Sequence, residues 1–444
     1  MKYRIITFGC QMNEADSELM AGLLGRSGWQ ACESVDEDDL VVLNTCSVRE
    51  RPEHKVFSLL GELRPWKVAA PGRVLAVAGC MAQRAADEIL RRAPHVDIVM
   101  GTRAFHRIEE LVERVRAGER RLLALDMADQ VPAIGAHCRS LTPSSQPPTP
   151  APLRSFVPVI RGCSNFCSYC IVPYVRGPEA SSSPGDIKQE VESLVARGAR
   201  EVTLLGQNVL AYGADLPDGP TFADLLGIVN ELDGLWRIRF TTCHPRDVTP
   251  ELISAIANLG KVCEHIHLPI QAGADRLLKE MNRGYTTERY LEIIDALRSR
   301  VSGIAITTDM LVGFPGETEA EFEQSHSLYQ QIRFDAAFMF AFSPRPGTKA
   351  ATMENQVPRK VRIERLTRVI EMQNRITIEK NEAAIGEEVE VLVDGPAPHG
   401  EGLLAGRARN HKQVVFAGDA KLTGVVVNVR LVEGHLWGFL GDMT

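Results

Sequence analysis

The feature that most limits the possible folds is a regular alternation of short apolar runs with segments of helical periodicity. Runs rich in Val, Ile and Leu are typical of parallel strands that helices cover on both faces. In the first part of the chain the strand-like runs are residues 3–8, 40–44 and 74–78, and the helix-like segments are residues 14–26, 55–63 and 85–92. This pattern predicts an N-terminal parallel α/β domain.

The same alternation resumes after residue 153 and continues to residue 342. The strand-like runs are residues 156–160, 201–205, 237–241, 265–268, 304–311 and 336–342, with helical segments at residues 187–196, 222–232, 287–298 and 319–332. Six successive units predict a partial (β/α) barrel of the TIM type, which places chemistry at the C-terminal ends of its strands. An open doubly wound sheet is the alternative.

A segment rich in Pro and Ser, residues 139–153, separates these two parts. Such a segment could be a long surface loop, but structureless stretches of this length are uncommon inside compact folds, so it predicts a domain boundary. A charged helix is predicted at residues 359–382. After it, short strand-like runs at residues 388–393, 403–409, 413–416 and 424–432, separated by Gly, Pro and Asp, predict a small antiparallel β-barrel. We therefore expect domains at residues 1–138, 154–380 and 381–444.

The composition excludes several classes of protein. A formal net charge of −7 argues against a protein that binds nucleic acid through its bulk charge, although a local basic face remains possible. The chain starts without a secretory signal pattern and has no apolar run long enough to cross a bilayer, so we expect a cytoplasmic protein with no membrane contact. In that compartment, ten cysteines indicate metal or redox ligands and not a disulfide framework.

The strongest chemical signal is a loop that follows the strand at residues 156–160. Its three thiols, here called the loop cysteines, are Cys163, Cys167 and Cys170. A [4Fe–4S] cluster normally takes four Cys ligands, so three would leave one iron open for an exogenous ligand. A structural zinc site would instead require a closed set of four ligands, and no fourth Cys or His lies at zinc-finger spacing.

A second set of thiols, here called the dispersed cysteines, consists of Cys10, Cys46 and Cys80. Each stands at the end of a predicted parallel strand, where ligand crevices of open α/β sheets lie. Gly9 and Gly79 precede two of them and would let the backbone approach a bulky cofactor closely. The alternative is three inert core cysteines, but the repeated strand–Cys topology favours a second cluster.

The Cys-x3-Cys-x2-Cys loop at a first barrel strand resembles the radical S-adenosylmethionine superfamily, and the whole chain resembles its methylthiotransferase family. The tail is similar to the TRAM RNA-binding domain. The motifs that carry the resemblance are Thr7-Phe-Gly-Cys10-Gln-Met-Asn-Glu-Ala-Asp-Ser-Glu18, Asn44-Thr-Cys46-Ser-Val-Arg-Glu50, Leu205-Gly-Gln-Asn208, Phe240-Thr-Thr-Cys-His-Pro245, His267-Leu-Pro-Ile-Gln-Ala-Gly273, Gly313-Phe-Pro-Gly-Glu317 and Phe342-Ser-Pro-Arg-Pro-Gly-Thr348.

The resemblance implies two [4Fe–4S] clusters with S-adenosyl-L-methionine as the second cofactor. A cluster on the loop cysteines would bind S-adenosylmethionine and generate the radical, and a cluster on the dispersed cysteines would carry or donate sulfur. The expected reaction is methylthiolation of C2 of N6-isopentenyl-adenosine 37 in the anticodon stem-loop of tRNA. The expected partners also include an electron donor such as a flavodoxin or ferredoxin, and the expected state is a monomer.

Gln11, Met12 and Asn13 favour this substrate over those of two sibling branches. The sibling that modifies a ribosomal-protein aspartate usually reads Pro-Lys-Asn there, and the one acting on threonylcarbamoyl-adenosine reads Lys-Val-Asn. A rival from another class is a non-catalytic RNA-binding or electron-transfer iron–sulfur protein. The three loop thiols argue against it, because an electron carrier gains nothing from an unliganded iron.

Four further residues are candidates for cofactor binding: Tyr169, Gln207, Asn208 and Asp309. Tyr169 lies between two loop cysteines, and the others lie on or at the end of barrel strands, where substrates of such barrels bind. Each also has a structural alternative: packing for Tyr169, holding a loop for Gln207 and Asn208, and a paired buried acid for Asp309. Ser182 stands where the family usually has an arginine, so any contact of that arginine is missing or supplied from elsewhere.

The candidate RNA contacts are Arg407, Arg409 and Lys412, in a compact basic run of the tail. Most such runs are solvated hairpins. In a TRAM-like barrel they become candidate phosphate contacts, whose binding would weaken steeply with salt.

Overall fold

The computed structural model describes residues 1–32, 37–47, 50–127 and 151–444, apart from the side chains of residues 50–52. Most of the predicted linker, residues 139–150, lies outside the described residues, so the domain boundary there stays a prediction. Within the described ranges, no helix is both long enough and apolar enough to cross a bilayer.

The N-terminal part is a parallel sheet covered by helices. Its strands are β1 (Lys2–Thr7), β2 (Gln30–Ala31), β3 (Leu40–Thr45), β4 (Val74–Gly79), β5 (Ile98–Met100) and β6 (Leu122–Ala124). Its helices are α1 (Gln11–Arg26), α2 (Glu50–Ala69), α3 (Cys80–Arg92) and α4 (Ile108–Arg116). The strand order is β2-β1-β3-β4-β5-β6, and every neighbouring pair runs parallel. The predicted parallel α/β architecture is confirmed.

Strands β3 and β4 are buried at every residue, which explains their continuous apolar sequences. Successive side chains of a strand point to opposite faces, so Leu40 and Val42 pack with α1 and α4. Val41 and Leu43 pack with α2 and α3 on the other face. A helical layer therefore covers each side of the sheet.

The register of this sheet brings three strand ends side by side. Strand β1 pairs with β3 as far as Thr7 opposite Asn44, and β3 pairs with β4 as far as Thr45 opposite Gly79. The dispersed cysteines follow these three ends, so the sheet itself delivers them to one edge.

The central part contains eight strands, and six of them form the barrel wall. The strands are β7 (Arg154–Pro158), β8 (Ile160–Arg161), β9 (Ala180–Ser181), β10 (Glu201–Leu205), β11 (Arg237–Phe240), β12 (His265–His267), β13 (Ala305–Val312) and β14 (Ala336–Ala341). The helices are α5 (Val172–Arg176), α6 (Pro184–Ala196), α7 (Phe222–Asn230), α8 (Pro250–Asn258), α9 (Asp275–Glu280), α10 (Thr287–Arg300), α11 (Glu319–Ile332) and α12 (Arg359–Ala383).

The barrel wall consists of two parallel sheets, β7-β10-β11 and β12-β13-β14, joined by a parallel bridge between Ile238 and Val262. The strands follow one another in chain order, and one continuous apolar core lies between them and the outer helices. This is the predicted partial (β/α) barrel, and the doubly wound alternative is wrong because the strand order never reverses.

The tail is a closed five-stranded barrel. Its strands are β15 (Glu388–Pro396), β16 (Leu403–Ala408), β17 (Gln413–Ala417), β18 (Val426–His435) and β19 (Gly438–Met443), in the order β15-β16-β17-β19-β18. Neighbours are antiparallel except for β17 and β19, which run parallel. The predicted small barrel is confirmed. Short 3-10 turns complete the chain at Phe105–Arg107, Val209–Ala211, Pro245–Asp247, Lys349–Ala351 and Ala420–Leu422.

Candidate functional site

The loop cysteines lie on a tightly held loop that follows β8. The Gly162 N–H donates to Gln207 Oε1 at 2.5 Å, and the Cys163 N–H donates to the Gly177 carbonyl at 3.0 Å. Gly162 has a φ of +83°, and a Cβ there would lie 1.9 Å from the Pro178 carbonyl oxygen. The chain can therefore turn into the loop only at a glycine.

Burial dominates the electrostatics of the loop cysteines. It raises the pKa of Cys163 to about 11 and that of Cys170 to about 12, and the neighbouring Cys167 charge adds to both. The charge of the buried Arg283 guanidinium acts in the opposite direction and lowers both pKa values. Its Nη1 lies 3.5 Å from Cys167 Sγ. Arg283 Nη2 also donates to the Pro269 carbonyl at 3.0 Å, which fixes the side chain in place.

Arg283 is a site residue that the sequence did not indicate. It follows α9 and lies more than a hundred positions from the loop in sequence, and its local pattern resembles that of any turn arginine. Only the barrel closure brings it to Cys167.

A polar network holds the dispersed cysteines at the sheet edge. Cys10 is the N-cap of α1, Cys46 follows β3, and Cys80 opens α3. Asn13 Nδ2 donates to Asn44 Oδ1 at 3.1 Å, and Asn44 Nδ2 donates to the Asn13 carbonyl at 2.8 Å. The two buried asparagines thus lock the start of α1 onto the end of β3.

The dispersed thiols also influence one another. A hydrogen bond with Cys46 is the main cause that lowers the pKa of Cys10 to about 6, and the Arg176 charge contributes in the same direction. Burial raises the pKa of Cys80, against the effect of Arg176, which lies within hydrogen-bonding reach of that thiol. The fold therefore brings these three residues and one guanidinium to one place.

The glycines beside the dispersed cysteines lie close to neighbouring segments of the protein, and their predicted close approach to a cofactor stays a prediction. A Cβ on Gly79, which has a φ of +95°, would lie 2.4 Å from the Thr45 carbonyl oxygen. A Cβ on Gly9 would lie 2.3 Å from Asn13 Oδ1. The close approach that these glycines permit is to the protein's own neighbouring segments.

The two sets of cysteines meet at α5, the helix that follows Cys170. Cys80 packs against Ile171 and Val175, at the start and within the body of this helix. From the end of β5, Thr102 Oγ1 donates to the Val175 carbonyl at 2.6 Å, which ties α5 to the N-terminal sheet. The sites are therefore neighbours across the domain interface.

The donor chemistry of both sets fits iron–sulfur clusters, which proteins hold with Cys thiolates. Among the described residues, no group of three His, Cys, Asp or Glu side chains is arranged to hold a single metal ion. The assignment of each cysteine as a cluster ligand stays a prediction.

The structure places the four candidate cofactor residues near the loop and inside the barrel. Tyr169 packs in the apolar cluster around Leu277 and Phe314. Gln207 holds the loop at Gly162, and Asn208 Nδ2 donates to Asp247 Oδ2 at 2.7 Å. These protein contacts match the structural alternatives, and contact with a cofactor stays a prediction for all four residues.

Asp309 lies on β13 beside an aromatic pair. Its Oδ1 lies 3.6 Å from His267 Nε2, and His267 also meets Thr307 Oγ1 at 3.0 Å. The ring of Phe338 contacts His267 edge to face, with 5.8 Å between the centroids, and it is 56% exposed. An accessible aromatic ring beside a carboxylate–imidazole pair is a suitable surface for a flat base, and the sequence analysis did not single out Phe338.

The three candidate RNA residues lie where the tail barrel meets the central barrel. Arg409 forms two hydrogen bonds of 2.8 Å with Glu264, and Lys412 Nζ donates to the Asp335 carbonyl at 2.8 Å. Arg407 Nη1 lies 3.0 Å from His411 Nε2, and burial lowers the pKa of this arginine. The contacts of Arg409 and Lys412 join the two barrels, whereas that of Arg407 lies within the tail. Phosphate binding by the three residues stays a prediction.

The central barrel completes this junction from its side. The side chains of Arg237 and Arg239 point from β11 into the barrel. Arg237 donates to the Arg407 carbonyl at 2.6 Å, and Arg239 donates to the Ala408 carbonyl at 2.8 Å. The turn between β16 and β17 therefore closes the N-terminal end of the barrel, opposite the end that carries the loop cysteines.

At Ser182, where an arginine was expected, the backbone makes the contacts. The Ser182 N–H donates to the Val159 carbonyl at 2.9 Å, and its own carbonyl accepts from the Tyr212 hydroxyl at 2.8 Å. Two other buried arginines, Arg176 and Arg283, lie near the thiols instead.

Two family models match the chain. That of the Radical SAM superfamily matches residues 157–328, and that of the Uncharacterized protein family UPF0004 matches residues 2–101. Among solved structures, the radical S-adenosylmethionine methyltransferase TsrM from Kitasatospora setae aligns with a TM-score of 0.57 at 14% identity. The alignment covers 91% of this chain and 80% of that one. This likeness supports the overall fold.

Relatives at much higher identity match the chain over its whole length. The tRNA-2-methylthio-N(6)-dimethylallyladenosine synthase of Moorella thermoacetica is 48% identical over 443 residues, which are 99% of this chain and 98% of that protein. The synthase of the same name from Carboxydothermus hydrogenoformans is 45% identical, again over 99% of this chain and 98% of that protein. This chain belongs to the family of the tRNA-2-methylthio-N(6)-dimethylallyladenosine synthases, within the Radical SAM superfamily.

Proposed function

We propose that this protein methylthiolates C2 of N6-isopentenyl-adenosine 37 in tRNA, which yields 2-methylthio-N6-isopentenyladenosine, by a radical S-adenosylmethionine mechanism. The observation that carries the proposal is the 48% identity, over 99% of the chain, to a synthase of that name. Two neighbouring sets of three thiols support it, because the reaction needs both a radical source and a sulfur source. An aromatic C2–H is too inert for acid–base substitution, so a cofactor must supply the hard step.

The loop cysteines would hold one [4Fe–4S] cluster together with S-adenosylmethionine, and the dispersed cysteines would hold the second. When bound, the first cluster would supply the electron for reductive cleavage of S-adenosylmethionine, and the second would supply sulfur. Both cluster assignments are supported by the thiol side chains, because Cys thiolates are the usual ligands of iron–sulfur clusters.

The chain's own residues position these groups. Gln207 fixes the turn at Gly162, and Arg283 places a positive charge 3.5 Å from the Cys167 thiol. A buried guanidinium at this distance offsets the negative charge that thiolate ligands bring into a buried site, so Arg283 supports cluster binding by the loop cysteines. Phe338 and the Asp309–His267 pair line the barrel where a flipped adenine would enter.

The remaining partners belong to the same proposal. The tRNA would present its anticodon stem-loop to the open end of the barrel, and a flavodoxin or ferredoxin would deliver electrons. The enzyme would act as a monomer in the cytoplasm. The ribosomal-protein aspartate and threonylcarbamoyl-adenosine are less favoured substrates, because the full-length relatives carry the name of the isopentenyl-adenosine enzyme.

The test is nucleoside analysis of bulk tRNA from a strain in which this gene is deleted. We expect loss of 2-methylthio-N6-isopentenyladenosine and accumulation of N6-isopentenyladenosine, with restoration by the intact gene. A gene carrying Cys46→Ala is the matched control and should not restore the product. Unchanged tRNA nucleosides in the deletion strain would reject the proposal.

A further inference from the structure

Asp16 is a fully buried carboxylate of α1 whose charged end binds two partners from the central domain. Its Oδ1 accepts from Arg161 Nη1 at 2.5 Å, and its Oδ2 accepts from Arg176 Nη2 at 2.9 Å. The exposed fraction of the Asp16 side chain is 0%, against 10% for Arg161 and 5% for Arg176. The carboxylate thus bridges two buried guanidinium groups of the central domain.

The two arginines flank the loop that carries the loop cysteines. Arg161 ends β8, two residues before Cys163, and Arg176 ends α5, six residues after Cys170. Asp16 lies in the second turn of α1, the helix that Cys10 caps. Asp16, Arg161 and Arg176, here called the ion triad, therefore join α1, the helix that follows Cys10, to β8 and α5, which flank the loop cysteines.

The surroundings of the triad exclude water and add a second anchor. Met12 and Ala15 of α1 pack against Leu205 at the end of β10, beside Asp16. Independently, Arg103 donates to the Arg176 carbonyl at 3.1 Å and to the Pro178 carbonyl at 2.7 Å. The C-terminal end of α5 is thus held by its side chain through Asp16 and by its backbone through Arg103.

The charges of the triad do not cancel. One carboxylate faces two guanidinium groups, and Arg176 also lies near the thiols of Cys80 and Cys10. Removal of the carboxylate would take the hydrogen-bonded anion from both buried cations. Because the charge of Glu190 also acts on Arg161, the loss would fall mainly on Arg176, a costly arrangement that favours separation of the segments.

We propose that Asp16 is a positioning residue, which docks the dispersed cysteines against the loop cysteines and sets the charge between the two sites through Arg161 and Arg176. The inference rests on the proposed function, because it assumes that sulfur transfer requires the two sets of cysteines to be held close together. Asp16 itself touches neither thiol set and has no part in the chemistry.

The test uses the full-length protein with both clusters reconstituted anaerobically, as wild type and as Asp16→Asn, which preserves the size of the side chain. We expect Asp16→Asn to retain its iron and to cleave S-adenosylmethionine. The methylthiolated product formed per 5′-deoxyadenosine should fall about tenfold, as is typical when a residue that supports a metal site is lost. The reduction potential of the cluster on the dispersed cysteines should become less negative, because a nearby negative charge has been removed.

Asp97→Asn is the matched control. Asp97 is a buried carboxylate of the same domain, paired with Lys67 at 2.5 Å. It lies just before β5, at the end of the sheet opposite the cysteines. It should change neither the product ratio nor the potential. Asp16→Glu keeps the charge and should retain the wild-type potential.

Three results would overturn the inference. The first is an unchanged product ratio and reduction potential in Asp16→Asn. The second is an equal change of both quantities in Asp97→Asn. The third is loss of iron in Asp16→Asn, because Asp16 would then have a merely structural role. If wild-type protein forms no methylthiolated product, the proposed function fails, and the comparison of potentials still decides whether Asp16 couples the two sites.

Discussion

The loop cysteines and the dispersed cysteines provide the same number of thiols in two different ways. The loop cysteines lie within eight residues on one loop, and local hydrogen bonds at Gly162 and Cys163 fix its shape. The dispersed cysteines come from three strand ends and depend on the register of β1, β3 and β4. The geometry of a site on one loop depends little on changes elsewhere in the fold. The geometry of a site built from three strand ends changes whenever the register of the sheet changes.

The electrostatics of the two sets differ as well. Burial raises the pKa of Cys163 and Cys170, while the hydrogen bond from Cys46 lowers the pKa of the exposed Cys10. Each set has one buried arginine, Arg283 for the loop cysteines and Arg176 for the dispersed cysteines. Arg176 is also bound by Asp16, so the arginine beside the dispersed cysteines belongs to the domain interface as well.

The largest expected effect separates the two sets by function. Cys167→Ala should abolish both 5′-deoxyadenosine and the methylthiolated nucleoside, because the radical site is lost. Cys46→Ala should abolish the methylthiolated nucleoside but retain S-adenosylmethionine cleavage. Both products are measured by mass spectrometry after reaction with isopentenylated tRNA. Retention of methylthiolation in Cys46→Ala would contradict separate roles for the two sets.

The next effect concerns thiol reactivity in the reduced protein without clusters. At pH 7, iodoacetamide should alkylate Cys10 about a hundredfold faster than Cys170, because the lowered pKa of about 6 makes Cys10 mainly thiolate and burial raises that of Cys170 to about 12. The Cys10 rate should fall as the pH drops through 6, where the thiolate becomes protonated. Peptide mass mapping measures both rates.

The control for this experiment is Cys46→Ala, which removes the main cause of the lowered pKa. The pH midpoint of Cys10 alkylation should then move upward. A midpoint that stays near 6 in this variant would show that another group sets the Cys10 pKa.

A glycine substitution tests the dependence of the dispersed cysteines on the sheet. Gly79→Ala places a Cβ at a φ of +95° and 2.4 Å from the Thr45 carbonyl oxygen, so the free energy of unfolding should fall by at least about 1–3 kcal/mol. Denaturant unfolding measures this loss, and iron analysis should show depletion from the dispersed site alone. Gly72→Ala, where a Cβ meets nothing within 4 Å, is the control. Equal stability of the two variants would contradict the role of Gly79.

The smallest expected effect concerns the arginine of the loop site. Arg283→Met should lower S-adenosylmethionine cleavage about tenfold, because it removes a supporting contact of a cluster ligand. Arg283→Lys keeps the charge and should recover part of the loss. Cleavage at the wild-type rate in Arg283→Met would show that the loop needs no countercharge.

Much of this arrangement could be predicted from the sequence, for identifiable reasons. Strands β3 and β4 are buried on both faces, so their apolar runs predicted their positions to within one residue. Parallel topology then predicted that the dispersed cysteines share an edge. The short strands β5 and β6 were missed, because three residues show no periodicity. Strand β19 was missed because two glycines interrupt its apolar pattern.

The residues that couple the sites could not be predicted in this way. Asp16, Arg176 and Arg283 act through partners that are distant in sequence, and no local pattern encodes such partners. The basic run of the tail shows the same limit. Its charges were visible, but whether Arg409 and Lys412 face solvent or the central barrel depends on how two domains pack.

The central claim is that this chain holds two clusters on two sets of three thiols. The most direct test is iron and sulfide analysis after anaerobic reconstitution of the wild type and of two triple variants. One carries alanine at the loop cysteines, and the other at the dispersed cysteines. We predict about eight irons per wild-type chain and about four in each variant. About four irons in the wild type, with none left in the loop variant, would contradict the claim. The dispersed cysteines would then be inert core residues and not cluster ligands.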